Sequence, residues 1–185
     1  YPSFQDIPAW VKKVRPSTLV PGLGSAARYL LTLTGIAKHN PKLAGLPKYA
    51  GNYAGAYLLR RGLFMPWELE DLLMDPKLVL EGLQRLAPLT ALRNTLSPEP
   101  SSPISRVAAL ESVHYMRNQL LRDSDWAGMA HSVEIRMPMV DVGFLRGIAP
   151  VTPHLIRGRG KEALAAAPSL PLPVEVSTRR KTGFG

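Results

Sequence analysis

Apolar residues recur along most of this chain at intervals of three and four, the period of a helix, and Pro and Gly cut the pattern into short pieces. Residues 1–24 are the first exception. There Pro2, Pro8, Pro16, Pro21, Gly22 and Gly24 surround the basic run Lys12, Lys13 and Arg15, which predicts loop with a helical turn or two near Trp10. Ser25 is placed to cap a helix through about Lys38, with Tyr29, Leu30, Leu33 and Ile36 on one face and Asn40 and Pro41 as its stop. A second helix is expected from Pro47 to Arg61, closed by Gly62 as a left-handed cap. Pro66 opens another, whose first turn holds Glu68, Glu70 and Asp71 as solvated acids favoured by the helix dipole. Pro76 opens one carrying Leu78, Leu80, Leu83 and Leu86. The run SPEPSSP at 97–103 reads as an internal linker, and Ser102 with Pro103 as the cap and first residue of the next helix. Its inward face is Val107, Leu110, Val113 or His114, Arg117, and Leu120 or Leu121, with His114 a partly buried structural histidine.

The pattern changes within Tyr115 to Asp141, the segment around which the chain is organised. Helical spacing gives way to a polar kink at Arg122 to Asp125, then to small and apolar residues at Ala127 to Ala130. Ser132 to Met137 alternate, so that Glu134 and Arg136 point one way and Val133, Ile135 and Met137 the other. Pro138 ends that run, and Asp141 is a good N-cap for a helix through about Ile148. Asp123, Asp125, His131, Glu134, Arg136 and Asp141 thus fall within nineteen residues otherwise rich in apolar side chains. Burying charge is costly unless it is paired or used, so two readings stand: an internal Glu134–Arg136 ion pair with Asp125 anchoring a turn, or the wall of a functional site.

Composition narrows the class. The chain has 185 residues, enough to bury a core, with 18 Pro and 15 Gly that favour short helices over a long bundle. It has no Cys, which removes disulfides and Cys-based zinc sites, and no apolar run long enough to cross a bilayer, so no membrane role is expected. It begins at Tyr1 without a signal-peptide pattern, which reads as a fragment. The net charge of +9 is uneven: residues 1–62 carry nine Lys or Arg against Asp6 alone, and 151–185 carry six against two acids. Basic ends favour anions of any kind. Tyr49, Tyr53 and Tyr57 stand at i, i+4 spacing beside Lys48 and Arg60, which suits either a base-stacking platform or a close-packed helix whose Gly51 and Gly55 admit a neighbour. No RNA-binding motif accompanies them, so nucleic acid is disfavoured as a partner. No acids stand at a recognisable metal-binding spacing.

The segment DSDWAGMAHSVEIRMPMVD resembles the signature of the asparagine synthetase family, in which an aspartate and a short Ser-Met-Ala-His-Ser stretch lead into Leu-Glu-x-Arg-x-Pro-Phe-Leu-Asp. The matching residues are Asp125, Met129, Ala130, His131, Ser132, Glu134, Arg136, Pro138 and Asp141. Downstream, GRGKEALAAAPSLPLPVEVSTRRKTGFG is similar to the family's closing segment at Lys161, Pro171, Arg179, Lys181, Gly183 and Phe184, and upstream GAYLLRRGLF at 55–64 is similar to the segment between the family's two motif regions. Gly128 departs from the family's Ser, and Met139 with Val140 from Phe-Leu. The N-terminal catalytic Cys, the Ser-Gly-Gly-x-Asp-Ser pyrophosphate loop and the Gly-Glu-Gly-x-Asp-Glu segment are not in the sequence.

The resemblance implies a single partial domain over 1–185, mostly α: the helical C-terminal part of an α/β adenine-nucleotide α-hydrolase-like (PP-loop ATP pyrophosphatase) synthetase domain, with its nucleotide-binding parallel sheet largely missing. It implies a cytoplasmic ligase using ATP and magnesium on aspartate, with ammonia from glutamine and with the glutaminase and pyrophosphate-loop portions as missing partners. In that frame Lys161, after Gly158, Arg159 and Gly160 at an expected helix start, is the catalytic candidate for a phosphate or transition-state contact, against the alternative of a solvated lysine. Asp125, Glu134 and Arg136 shape the site wall, and Arg179 and Lys181 are phosphate-contact candidates. No metal ligand is assigned, and the chain alone is expected to turn over weakly or not at all. A non-catalytic interaction remnant and a basic nucleic-acid-binding module are the alternatives.

Overall fold

The computed structural model describes residues 2–16, 20–35, 40–151 and 165–179. Among these the chain is helical, with no strand, and divides into two compact units, Tyr1–Val133 and Glu134–Gly185. Segment 97–103 lies inside the first.

The first unit opens with α1, Ser3–Val14, where loop was expected. Pro8 sits inside this helix and deprives it of one backbone bond. Burial of Ser3, Ile7 and Val11 along one face outweighs that loss, and it is a tertiary effect that local Pro content cannot signal. Helix α2 spans Leu23–Leu33 and starts after Gly22, whose φ is 82°, so Ser25 lies within the helix rather than capping it. Its expected end near Lys38 falls outside the described residues.

Asn40 and Pro41 start a helix instead of stopping one. Helix α3, Pro41–Tyr49, has Asn40 as its cap, accepting a hydrogen bond from the Leu43 amide at 3.1 Å, and Pro41 at its first position. The single helix expected from Pro47 to Arg61 is two, because Asn52 takes extended geometry and caps α4, Tyr53–Arg61, through the Gly55 amide at 2.9 Å. Gly62 ends α4 with φ of −57°, outside the left-handed region. The tyrosine ladder is therefore split between helices. Tyr57 is buried, while Tyr49 stacks against Trp67 with ring centroids 5.5 Å apart. A side chain at Gly55 would collide with the Tyr49 carbonyl, so the small residue admits a close backbone neighbour, as the packing reading of this segment requires.

A 3-10 turn, Pro66–Glu68, leads into α5, Leu69–Leu73. Glu68 is not merely solvated: its Oε2 accepts the Met65 amide at 2.7 Å and closes the turn. Asp75 caps α6, Pro76–Leu86, and α7 follows over Pro88–Thr95. Ser102 caps α8, Pro103–Leu110, as expected, accepting from the Ser105 amide at 3.0 Å. The chain then continues without a break through a π-helical stretch, Glu111–Leu121, into α9, Arg122–Met129. No kink falls at Arg122 to Asp125; the change of winding comes one segment earlier.

The core joins α1, α4, α7 and α8 through Ile7, Val11, Ala54, Ala56, Tyr57, Leu92, Val107 and Leu110. A second cluster of Ala50, Leu59 and Met65 meets it through Trp10, which packs against both. Arg60 Nε lies 3.1 Å from Asp6 Oδ2, tying α4 to α1.

In the second unit a 3-10 turn, Pro138–Val140, precedes α10, Val142–Ile148, and α11 spans Val174–Ser177. Asp141 caps α10 as expected, with the Phe144 amide donating to its Oδ1 at 2.9 Å. None of its described residues is buried.

Candidate functional site

The signature segment is shaped by how α9 ends. Gly128 is buried, and its carbonyl accepts hydrogen bonds from the amides of both His131 and Val133 at 2.9 Å. Ser132 takes a left-handed φ of 57°, an uncommon conformation for a residue with a Cβ, and turns the chain out of the helix. Residues 133–137 then run outside any helix, with no strand partner among the described residues. Here Glu134 and Arg136 point together, as alternation requires. Arg136 Nε donates to Glu134 Oε1 at 3.0 Å and its Nη2 to Oε2 at 3.3 Å. The pairing expected from sequence is present, but it is not internal: the two side chains are 69% and 82% exposed.

Asp125 belongs to the first unit, where it is exposed on α9 and caps no turn. Arg179, after α11 in the second unit, is exposed. Lys161 and Lys181 lie outside the described residues. Of the six sequence-derived candidates, the structure brings Glu134 and Arg136 into contact. Among the described residues no three His, Asp or Glu side chains are grouped so as to hold a metal ion.

A buried polar cluster that the sequence reading passed over sits where α4 meets the π-helical stretch. Arg61 grips Glu111 with two hydrogen bonds, Nε to Oε1 at 3.0 Å and Nη2 to Oε2 at 2.6 Å, the geometry that makes guanidinium–carboxylate pairs strong. The Glu111 side chain is only 9% exposed. The Arg61 guanidinium also lies 3.7 Å from the centre of the Tyr115 ring. Burial alone would lower the Arg61 pKa, but the hydrogen bond and charge of Glu111 outweigh it and the value is raised. The Tyr57 hydroxyl is shielded from solvent without a well-formed hydrogen bond, and burial, reinforced by the Glu111 carboxylate, raises its pKa strongly. Next to it, His114 Nε2 lies 2.8 Å from Thr95 Oγ1. Burial first, then the charge of Arg117, holds the imidazole below its ordinary pKa.

This cluster fastens α4 to the π-helical stretch. Its sequence signal was Glu111 itself, a carboxylate four residues after the core residue Val107 on the inward stripe of α8. Its partner, Arg61, lies in the GAYLLRRGLF segment.

A family model described as asparagine synthase matches residues 4–185. The chain belongs to the asparagine synthase family. No curated protein and no solved structure matches it. Membership points to an asparagine synthase-like function and to an amidoligase that uses ATP and small-molecule substrates. Among the described residues no helix is long and apolar enough to cross a membrane.

Proposed function

We propose that this chain contributes the later half of the synthetase site of an ATP-dependent asparagine synthase, within a PP-loop ATP pyrophosphatase-like domain. The reaction joins the side-chain carboxylate of aspartate to AMP from ATP, with loss of pyrophosphate. Ammonia derived from glutamine then displaces AMP to give asparagine. The observation that carries this reading is the family match over residues 4–185, which includes the complete Met129 to Asp141 block.

The chain's own residues take these parts. Lys161 neutralises charge building on the phosphates. Arg179 and Lys181 approach the same phosphates from the closing segment. Asp125, Glu134 and Arg136 shape the wall. Their solvated state supports a role as surface groups that meet a ligand, since an ion pair this exposed contributes less than about 1 kcal/mol to stability. The pyrophosphate loop and the glutaminase cysteine are supplied outside these residues.

The test is equilibrium binding of a non-hydrolysable β-aspartyl-AMP analogue to the 185-residue chain by calorimetry. Weak, saturable binding is expected, reduced about tenfold or more by Lys161→Ala, which corresponds to about 1.4 kcal/mol. Absence of saturable binding removes the claim that these residues form part of the site.

A further inference from the structure

Away from the signature segment, the first unit carries two adjoining cavities of about 470 Å3 and 620 Å3, whose walls share Val11, Arg15, Tyr53 and Arg106. Arg93 completes the first and Lys12 the second, so among the described residues four cationic residues line the cleft with one carboxylate, Glu99. The size is that of a small-molecule site, with apolar surface beneath a few convergent polar groups. Val11 and Leu96 supply apolar wall, and Tyr53 and Ala54 of the first turn of α4 line the same space.

The pairing of Arg106 is the informative detail. Its guanidinium lies 5.2 Å from the centre of the Tyr53 ring, and its side chain is 22% exposed. Nε lies 3.0 Å from Glu99 Oε1, close enough for an ion pair, yet it is shielded from solvent and makes no aligned hydrogen bond. Glu99 belongs to the 97–103 segment and is 69% exposed. A well-held cation thus faces a loosely held carboxylate, while Arg15 and Arg93 bring further positive charge to the same cavity.

We propose that this cleft binds a small organic phosphate, and that Glu99 is an internal competitor which the ligand displaces. A dianionic head matches the surplus of cations and accepts several N–H donors from planar guanidinium groups at once. An apolar body then lies against Val11, Leu96 and the Tyr53 ring. The proposal does not rest on the synthetase reading.

Phenyl phosphate, inorganic phosphate and phenylacetate are titrated by calorimetry into the 185-residue chain at low ionic strength. Phenyl phosphate is expected to saturate and to bind more tightly than either of the others. Arg93→Gln, on an exposed side chain, weakens it about tenfold, or about 1.4 kcal/mol. Arg106→Gln weakens it further, Glu99→Gln tightens it several-fold, and Lys161→Ala leaves it unchanged. The assignment is overturned by any of three results: binding indifferent to Arg93→Gln and Glu99→Gln, no saturation by phenyl phosphate, or phenylacetate binding as tightly as phenyl phosphate. Loss of binding in Lys161→Ala overturns it as well, by moving the phosphate to the proposed synthetase site. Circular dichroism on each variant separates lost binding from lost folding.

Discussion

Arg61 and Glu111 decide more at the scale of single residues than any other pair in the first unit. Their attraction is set against the cost of drying two charges, so the pair is worth less than its geometry suggests, while a lone survivor is costly. Glu111→Ala is therefore expected to destabilise the protein by about 3–5 kcal/mol, because Arg61 stays behind half-buried without its carboxylate. The double variant Arg61→Met, Glu111→Leu should recover most of that loss. Urea unfolding of both tests this, and a double variant no more stable than Glu111→Ala would show that the pair is not the cause. His114 supplies the pH dependence. Its pKa is lowered on folding from 6.5, so below about pH 6.5 the unfolded chain takes up a proton that the folded chain refuses. Its contribution to stability is complete above that pH and is lost as pH falls toward the folded value. His114→Gln keeps a hydrogen-bonding group near Thr95 but removes the titration. The drop in melting temperature between about pH 7.5 and about pH 5.5 should then shrink, and an unchanged drop would assign the slope to other groups.

Helices here are set by caps and by close approach, and these differ in how far they can be read from sequence. Ser102 with Pro103, and Asp141, were legible because the cap and its helix are neighbours in the chain, and Pro76 was legible as a helix start although its cap, Asp75, was not read. Asn40 with Pro41 was read as a stop, although an Asn-Pro pair serves as well for a start; the sense depends on which side packs. Helix α1 was missed because what holds it is the Ile7 and Val11 face meeting α4 and α8, contacts remote in sequence. Two glycines separate local propensity from packing. A Cβ at Gly45 would lie 2.5 Å from Trp67 Cη2 and 2.7 Å from Leu59 Cδ2, and Trp67 is itself held between Tyr49 and Arg28. Gly82, within α6, has nothing within 4 Å of that position. Gly45→Ala should cost about 1–3 kcal/mol by overpacking, whereas Gly82→Ala should add about 0.5–1 kcal/mol through helix propensity alone. Thermal unfolding must give shifts of opposite sign for this account to stand.

Across the whole molecule, the contrast is between a first unit with a buried core and a second in which every described residue is at least partly exposed. Val142, Leu170, Val174 and Val176 are 60%, 85%, 69% and 56% exposed, so the described residues of the second unit gain little from removing apolar surface from water. That division also explains which part of the site was readable. The signature residues were recognisable because they are consecutive, and the caps within them are local. Lys161, Arg179 and Lys181 stand far from Asp125 in sequence, and spacing along a chain carries no record of which distant residues meet. Local opening follows the number of buried contacts that hold a segment, so the two units should differ sharply in susceptibility to proteolysis. Arg136 is the exposed point of attack: its side chain is 82% accessible, and it lies outside any helix in the run before Pro138. Brief digestion with trypsin should cut after Arg136 before it cuts after Arg61 or Arg106, leaving a resistant product that contains α1 through α9. Mass spectrometry of the first products decides the matter. Early cleavage within α4 or α8, with the bond after Arg136 intact, would mean that stability does not follow the core formed by Ile7, Tyr57, Val107 and Leu110.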